Sequence, residues 1–202
     1  MANVKNVIFD IGNVLMAFKW SDWIGSIFSE DVCRKISNAF WGDDRWNEMD
    51  RGVMAQEAVH QSFLDAEPDV SEEIEYVYSH IGDACHRTDY AIPWIKELKE
   101  RGLKVYYLSN YSVYLRNMRP DVLDFLDYMD GGVFSCDVKF LKPDEAIYRS
   151  ICEKYSLEPA ECVFIDDLVK NIEGALSYGM NGIIYKNYHQ ARADLDRLLE
   201  GK

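Results

Sequence analysis

Short apolar runs bounded by turn residues alternate along the chain with longer stretches in which apolar positions recur every three or four residues. The short runs predict strands: VIFDI at 7–11, LKVYYLSN at 103–110, GVFSC at 132–136, CVFIDD at 162–167 and NGIIYK at 181–186. Helical patterns separate the later runs. In IPWIKELKERG, Pro93 suits a first helical position, Ile95 and Leu98 share a face, and Gly102 is placed to end the helix. In KPDEAIYRSICEKY, Pro143, Asp144 and Glu145 form a first turn, and Ile147, Ile151 and Tyr155 form a stripe. Strands that alternate with helices predict an α/β fold, a Rossmann-like parallel sheet with helices on both faces.

Between Lys19 and Thr88 the pattern changes. SEDVCRKISNAF, MAQEAVHQSFLDA and SEEIEYVYSHIGDAC are amphipathic and helical, with Ser29 and Ser71 as candidate N-caps, and no strand signal interrupts them. The expectation is a small all-helical cap domain, residues 19–88, inserted into a core domain of residues 1–18 and 89–202.

Composition narrows the class. With 202 residues, 48% of them hydrophobic, there is material for one sizeable core plus an insertion. The formal charge of −13 argues against nucleic acid or an anionic membrane as partner, since both are gripped by clustered Lys and Arg. An anionic substrate would need local positive help. Five cysteines without a C-x-x-C pair suggest reduced thiols rather than a disulfide framework or zinc site. No leader or membrane span is read in the sequence, so a cytoplasmic protein is expected, as a monomer or weak homodimer.

The predicted strand ends carry the chemistry. The first ends at Asp10, with Gly12 two residues on; the second ends at Ser109 and Asn110; the fourth ends at Asp166 and Asp167. Lys142 precedes the helix leading into that fourth strand, and Asn171 follows Asp167 by four residues. In an open parallel sheet, ligands bind at the carboxyl ends of the strands. Each feature also has a plain reading: Asp10 with Gly12 and Ser109 with Asn110 as turns, Lys142 as a solvated lysine, Asp166 and Asp167 as a helix cap. As a set they supply a nucleophile, a hydroxyl donor, a cation and hard oxygen ligands, which is what moving a phosphoryl group requires.

FDIGNVL, LSN, KP and FIDDLVKNIEGA occur in order from residue 7 to 175, and on these motifs the chain resembles the haloacid dehalogenase-like hydrolase superfamily, in particular its phosphatases with a small helical cap. It is most similar to sugar-phosphatase members, including the alpha-glucose-1-phosphatase type, and to the phosphatase domain of bifunctional epoxide hydrolases. The resemblance implies that Asp10 attacks phosphorus, that Ser109 and Asn110 bind phosphoryl oxygens, and that Lys142 steadies nucleophile and phosphate. It implies a Mg²⁺ ion on Asp10, Asp167 and the Gly12 carbonyl, with Asp166 as a further ligand or a support for one. Asn171 stands where an acid is often found and is expected to orient the carboxylates. Most phosphatases of the superfamily also have a second aspartate where this chain has Gly12, acting as general acid and base. Such help is typically worth about 10² to 10⁴ in rate, so water, substrate or a cap residue has to replace it.

The segment FWGDDRWNEMDRG in the cap mixes Arg45, Trp46 and Arg51 with acids, a combination suited to stacking on a sugar or gripping an anion, and equally to packing cap against core. The four histidines have no metal-ligand spacing. The expected activity is Mg²⁺-dependent hydrolysis of a small phosphorylated metabolite, with sugar phosphates as a candidate class. The alternatives are a 2-haloacid dehalogenase, whose halide leaves without a proton, and a catalytically silent binding protein of the same fold.

Overall fold

Val7 and Phe9 face one side of a sheet and Ile8 the other, and both sides are covered. The computed structural model describes residues 4–200. Its strands are β1 (Asn6–Phe9), β2 (Met16–Phe18), β3 (Cys85–Arg87), β4 (Lys104–Ser109), β5 (Gly131–Phe134), β6 (Cys162–Asp166) and β7 (Asn181–Ile184). Its helices are α1 (Trp20–Gly25), α2 (Glu30–Trp41), α3 (Arg45–Arg51), α4 (Gln56–Ala66), α5 (Ser71–His80), α6 (Ala91–Glu100), α7 (Val113–Met118), α8 (Ser135–Val138), α9 (Glu145–Tyr155), α10 (Val169–Ser177) and α11 (Tyr188–Glu200).

Five strands form the parallel sheet, in the order β5-β4-β1-β6-β7. All four residues of β1 are buried, as expected of a central strand covered on both faces. On one face, Phe9, Val105, Val163 and Ile165 pack with Trp94, Ile95 and Leu98 of α6 and with Ala191 and Leu195 of α11. On the other, Ile8, Tyr106 and Phe164 pack with Ile147, Tyr148 and Ile151 of α9 and with Ile172 and Ala175 of α10. The chain connects β1 to neighbours on either side, so β1, β4 and β6 end together at the point where strand order reverses.

The inserted helices α1 to α5 bury their own apolar stripes, with Ile36 and Phe40 of α2 meeting Val59 and Phe63 of α4 and Ile74 and Val77 of α5. Phe40 and Phe63 stack at 4.5 Å between centroids. The segment is not purely helical. β3 lies inside the stretch expected to lack strands, and pairs antiparallel with β2 in the register Met16↔Arg87, Ala17↔His86, Phe18↔Cys85. Both strands have three residues, too few for an alternation to show in sequence. They form a ribbon through which the chain leaves the core and returns.

Several predicted element ends shift for local reasons. Ser29 precedes α2 without a side-chain capping bond, and Ser71 is the first residue of α5, behind a 3₁₀ turn at Pro68–Val70. Pro93 is the third residue of α6. Gly102 does end that helix, with a φ of 84° in the region that favours glycine. Ser135 and Cys136, expected in a strand, open the short helix α8.

Candidate functional site

Asp10 stands one residue beyond β1, its backbone N–H still donating to Ile165 O at 2.9 Å. The sheet therefore fixes its backbone while the side chain enters a cleft of about 350 Å³. That cleft is lined by Asp10, Gly12, Ser109, Asn110, Lys142 and Asp167 from the core, and by Trp41, Trp46 and Asp50 from the cap. The strand ends converge as the sequence led one to expect.

Asp10 Oδ1 accepts from the Ile11 N–H at 2.7 Å and from Lys142 Nζ at 2.8 Å. The same Nζ donates to Asp166 Oδ2 at 2.7 Å. Lys142 is 4% exposed and Asp166 fully buried, so one cation sits between two desolvated carboxylates. Burial, reinforced by Asp166 and opposed by Lys142, raises the Asp10 carboxyl to about 6. Burial works to lower the Lys142 ammonium, but Asp10 and Asp166 overcome it and hold it above its ordinary value.

Asp166 has no oxygen to spare. Oδ1 accepts from the Leu168 N–H at 2.8 Å, Oδ2 accepts from Lys142, and Asn171 Nδ2 donates to both at 3.0 Å. Asp166 thus holds Lys142 in place, and Asn171 donates to the same carboxylate. Asp167 is more open, with Asn13 Nδ2 at 3.4 Å from its Oδ2. Burial and Asp166 raise its carboxyl as well.

The carboxylates of Asp10, Asp166 and Asp167 offer oxygens within 4.8 Å of one another. Three acids against one buried lysine leave a local excess of negative charge, and all the donors are hard oxygens, which suits Mg²⁺. Asn171 Oδ1, in the cleft lining, is buried without a hydrogen-bond partner, a polar atom left for a ligand or its hydration shell. The residues fit a divalent cation.

Gly12 lines the cleft, its φ is not in the left-handed region, and a Cβ there would meet nothing within 4 Å. The backbone does not require glycine at this position.

Three expected substrate contacts are placed differently. The Asn110 side chain is committed to the backbone of Lys142, accepting from its N–H at 2.8 Å and donating to its carbonyl at 3.2 Å. Arg45 turns away from the cleft to close the end of α2, donating to Ala39 O at 2.7 Å and Asn38 O at 2.9 Å and pairing with Asp43. These carbonyls lie in the last turn of α2, where intrahelical donors run out; the Gly42 N–H still reaches Asn38 O, and the guanidinium adds to it. Arg51 pairs with Glu48 one turn back, at 3.1 Å, and does not line the cleft. Trp46 does line it, against Trp41 at 4.3 Å and Phe18 at 5.8 Å.

One cleft residue was not singled out in the sequence. Asp50, in α3, is 4% exposed. Burial pushes its carboxyl up to about 8, against a hydrogen bond from Trp46 and with help from the Asp10 charge. In sequence it sits among Glu48 and Arg51 and reads as part of a solvated charged face; only its spacing of four from Trp46 put the two on one side of a helix.

The chain is 27% identical over 209 residues to a phosphatase of Mycobacterium tuberculosis (strain CDC 1551 / Oshkosh), covering 94% of this chain and 91% of that protein. It is 24% identical over 153 residues to flavin mononucleotide hydrolase 1 of Arabidopsis thaliana, covering 76% of this chain but only 61% of that protein. Among solved structures, a HAD family enzyme of Bacteroides thetaiotaomicron in complex with magnesium and inorganic phosphate superposes with a TM-score of 0.71 at 19% identity, covering 91% of this chain and 94% of that one. The haloacid dehalogenase-like hydrolase family matches residues 4–179, and the chain belongs to that family of hydrolases.

Proposed function

We propose that the protein is a Mg²⁺-dependent phosphatase that hydrolyses a small phosphorylated metabolite through an aspartyl-phosphate. The observation that carries the reading is the buried Lys142, held between Asp10 and Asp166 at the mouth of the strand ends. It keeps the nucleophile ionised and aimed, and presents positive charge where phosphoryl oxygens would lie.

Asp10 attacks phosphorus, and the alcohol leaves; water then attacks the aspartyl-phosphate and regenerates Asp10. Ser109, buried beside Asp10 at the end of β4, offers its hydroxyl to a phosphoryl oxygen. Asn110 acts at one remove, fixing the backbone of Lys142. Asp10, Asp167 and the Gly12 carbonyl would hold Mg²⁺, which when bound neutralises charge on the transferring group. The acids Asp166 and Asp167 at the fourth strand end favour this reaction over dehalogenation, which in this superfamily needs no metal.

Beyond the phosphate the cleft is lined by Met16, Phe18, Trp41, Trp46 and Leu168, with Asp44 and Asp50 as its acids. Such a lining suits the flat face of a sugar or another ring. The phosphatase of Mycobacterium tuberculosis, the flavin mononucleotide hydrolase and the magnesium and phosphate complex support the reading. The test is phosphate release from p-nitrophenyl phosphate, hexose phosphates and flavin mononucleotide, with Mg²⁺ and with EDTA. Release that needs Mg²⁺ is expected; release undiminished by chelator, or none from any substrate, would overturn the proposal.

A further inference from the structure

We propose that Asp50 is the general acid and base of this site, delivered by the cap to do the work for which Gly12 has no side chain. The inference rests on the phosphatase reading and adds a residue to it. Gly12 leaves open space beside Asp10, so the leaving oxygen has no donor from its own loop. Of the other titratable groups lining the cleft, Lys170 is solvent-exposed in α10 and the rest are otherwise engaged. Lys142 is held between two carboxylates, and Asp10 and Asp167 are the nucleophile and a metal ligand. The Tyr111 phenol points at Met16 Sδ, 3.8 Å away, and burial raises it far beyond neutral pH. Asp44 is exposed and takes a hydrogen bond from Asn47.

Asp50 differs in being buried, in the cleft and anchored. Ser135 Oγ donates to the Asp50 carbonyl at 2.6 Å, and the Tyr111 N–H donates to the same Oγ at 2.9 Å. That relay ties the cap residue to the loop that carries Ser109 and Asn110. Its carboxyl meets the indole N–H of Trp46 from its own helix and the backbone of Ser112 from that loop. The charged and titratable groups facing it are Asp10 and Lys142 across the cleft, and Tyr111 and Cys136 behind it. With its carboxyl raised to about 8, Asp50 carries a proton at neutral pH.

The proton balance closes over the two half-reactions. As Asp10 Oδ bonds to phosphorus, the P–O bond to the leaving group breaks, and its electron pair stays on that oxygen. Asp50 gives its proton to that oxygen, releasing a neutral alcohol. The Asp50 carboxylate then takes a proton from the water that attacks phosphorus, the bond to Asp10 breaks, and inorganic phosphate departs with Asp50 protonated again.

The experiment compares wild type, Asp50→Asn, Asp50→Glu and the double variant Asp50→Asn/Gly12→Asp on p-nitrophenyl phosphate and on an alkyl phosphate, whose leaving group needs a proton. Asp50→Asn is expected to slow the alkyl phosphate by about 10²- to 10⁴-fold, while a burst of p-nitrophenol persists because that leaving group departs unaided. The alkaline limb of kcat against pH should vanish in Asp50→Asn, and Gly12→Asp should restore part of the alkyl phosphate rate. Equal losses on both substrates, or no loss on either, would overturn the proposal and leave the phosphatase reading intact. A wild type that releases no phosphate overturns both. Should Asp50→Asn not fold, Asp50→Glu decides, because it keeps an acid in a changed position; an alkaline limb that does not move overturns the assignment.

Discussion

Lys142 Nζ lies 2.8 Å from Asp10 Oδ1, in a pocket that leaves the lysine side chain 1% and the aspartate side chain 10% exposed. The pair is too dry to be treated as a surface ion pair, and the second carboxylate on the same ammonium, Asp166, makes it a triad. Burial raises Asp10 while Lys142 restrains it. The reactivity of the nucleophile and the stability of the site therefore depend on one ammonium group.

Replacing it exposes that dependence. Lys142→Met leaves two buried carboxylates without their cation, a change that typically costs about 3–5 kcal/mol. Urea unfolding at pH 7.5 should show a loss of this size, and a smaller one at pH 5, where the Asp10 carboxyl, raised to about 6 even with the lysine present, takes up a proton. A loss below about 1 kcal/mol at pH 7.5, the range of an exposed pair, would mean that water screens the triad.

Metal binding has a readout that needs no turnover. If Mg²⁺ binds only the folded protein, a concentration 100-fold above its Kd stabilises by about 2.7 kcal/mol, or about 5–10 °C in Tm for a chain of this size. The wild type should show the shift and Asp167→Asn should lose most of it. Asp166→Asn should instead lower Tm with and without Mg²⁺, since Asp166 is consumed by Lys142, Asn171 and Leu168. A full Mg²⁺ shift in Asp167→Asn would place the cation elsewhere.

Asp10→Asn keeps the shape of the side chain and removes the nucleophile. Turnover of p-nitrophenyl phosphate should fall by on the order of 10⁴ or more, as losses of covalent nucleophiles do, with the circular dichroism spectrum unchanged. A residual rate within tenfold of wild type would assign the attack to another group.

The core was legible in sequence because its signals are local. Buried strands read as apolar runs, α6 and α9 carry three- and four-residue periods, and Asp10, Ser109 and Asp167 stand at or just past strand ends, where a parallel sheet binds ligands, with Lys142 in the loop before α9. The ribbon of β2 and β3 was not, since even its nearest pair, Phe18 and Cys85, is 67 positions apart in the chain, and each strand is too short to alternate. The cap was legible as helices but not as a surface. A helix shows which side is apolar, not which of its charged residues meets the core, so Arg45 and Arg51 drew attention on charge while Asp50 passed as solvated. Gly12 stood out in the sequence for its missing side chain, but what faces it depends on how α3 docks, which no local pattern encodes.

The placement of the cap arginines separates packing from recognition. Arg45→Ala removes two bonds to the carbonyls ending α2 and should cost about 1–3 kcal/mol, leaving the ratio of kcat/KM between a natural substrate and p-nitrophenyl phosphate within about twofold of wild type. Arg51→Ala, which loses only its partly exposed pairing with Glu48, should change stability by under about 1 kcal/mol. Trp46→Ala should lower that ratio, because the indole lines the cleft. A ratio that collapses in Arg45→Ala and survives in Trp46→Ala would reverse these assignments.

Asp50 makes stability depend on pH with a definite sign. Its carboxyl lies near 8 in the folded protein, against about 3.9 in an unfolded chain. The folded state therefore binds the proton more tightly. Its contribution is fully present below about pH 4 and is lost as pH rises through 8, at up to about 1.4 kcal/mol per pH unit where the two states differ by a whole proton. Asn at this position cannot ionise, but its single oxygen serves two donors, Trp46 and Ser112, less well than a carboxyl does. Asp50→Asn should therefore be the less stable protein at pH 5, by about 1 kcal/mol, and the more stable one at pH 9. The unfolding free energies of the two should cross near about pH 6, and urea titrations at pH 5, 6, 7 and 9 would locate the crossing. A difference that stays constant over that range would show that Asp50 ionises as an ordinary surface aspartate does, and its place in the dry part of the cleft would have to be abandoned.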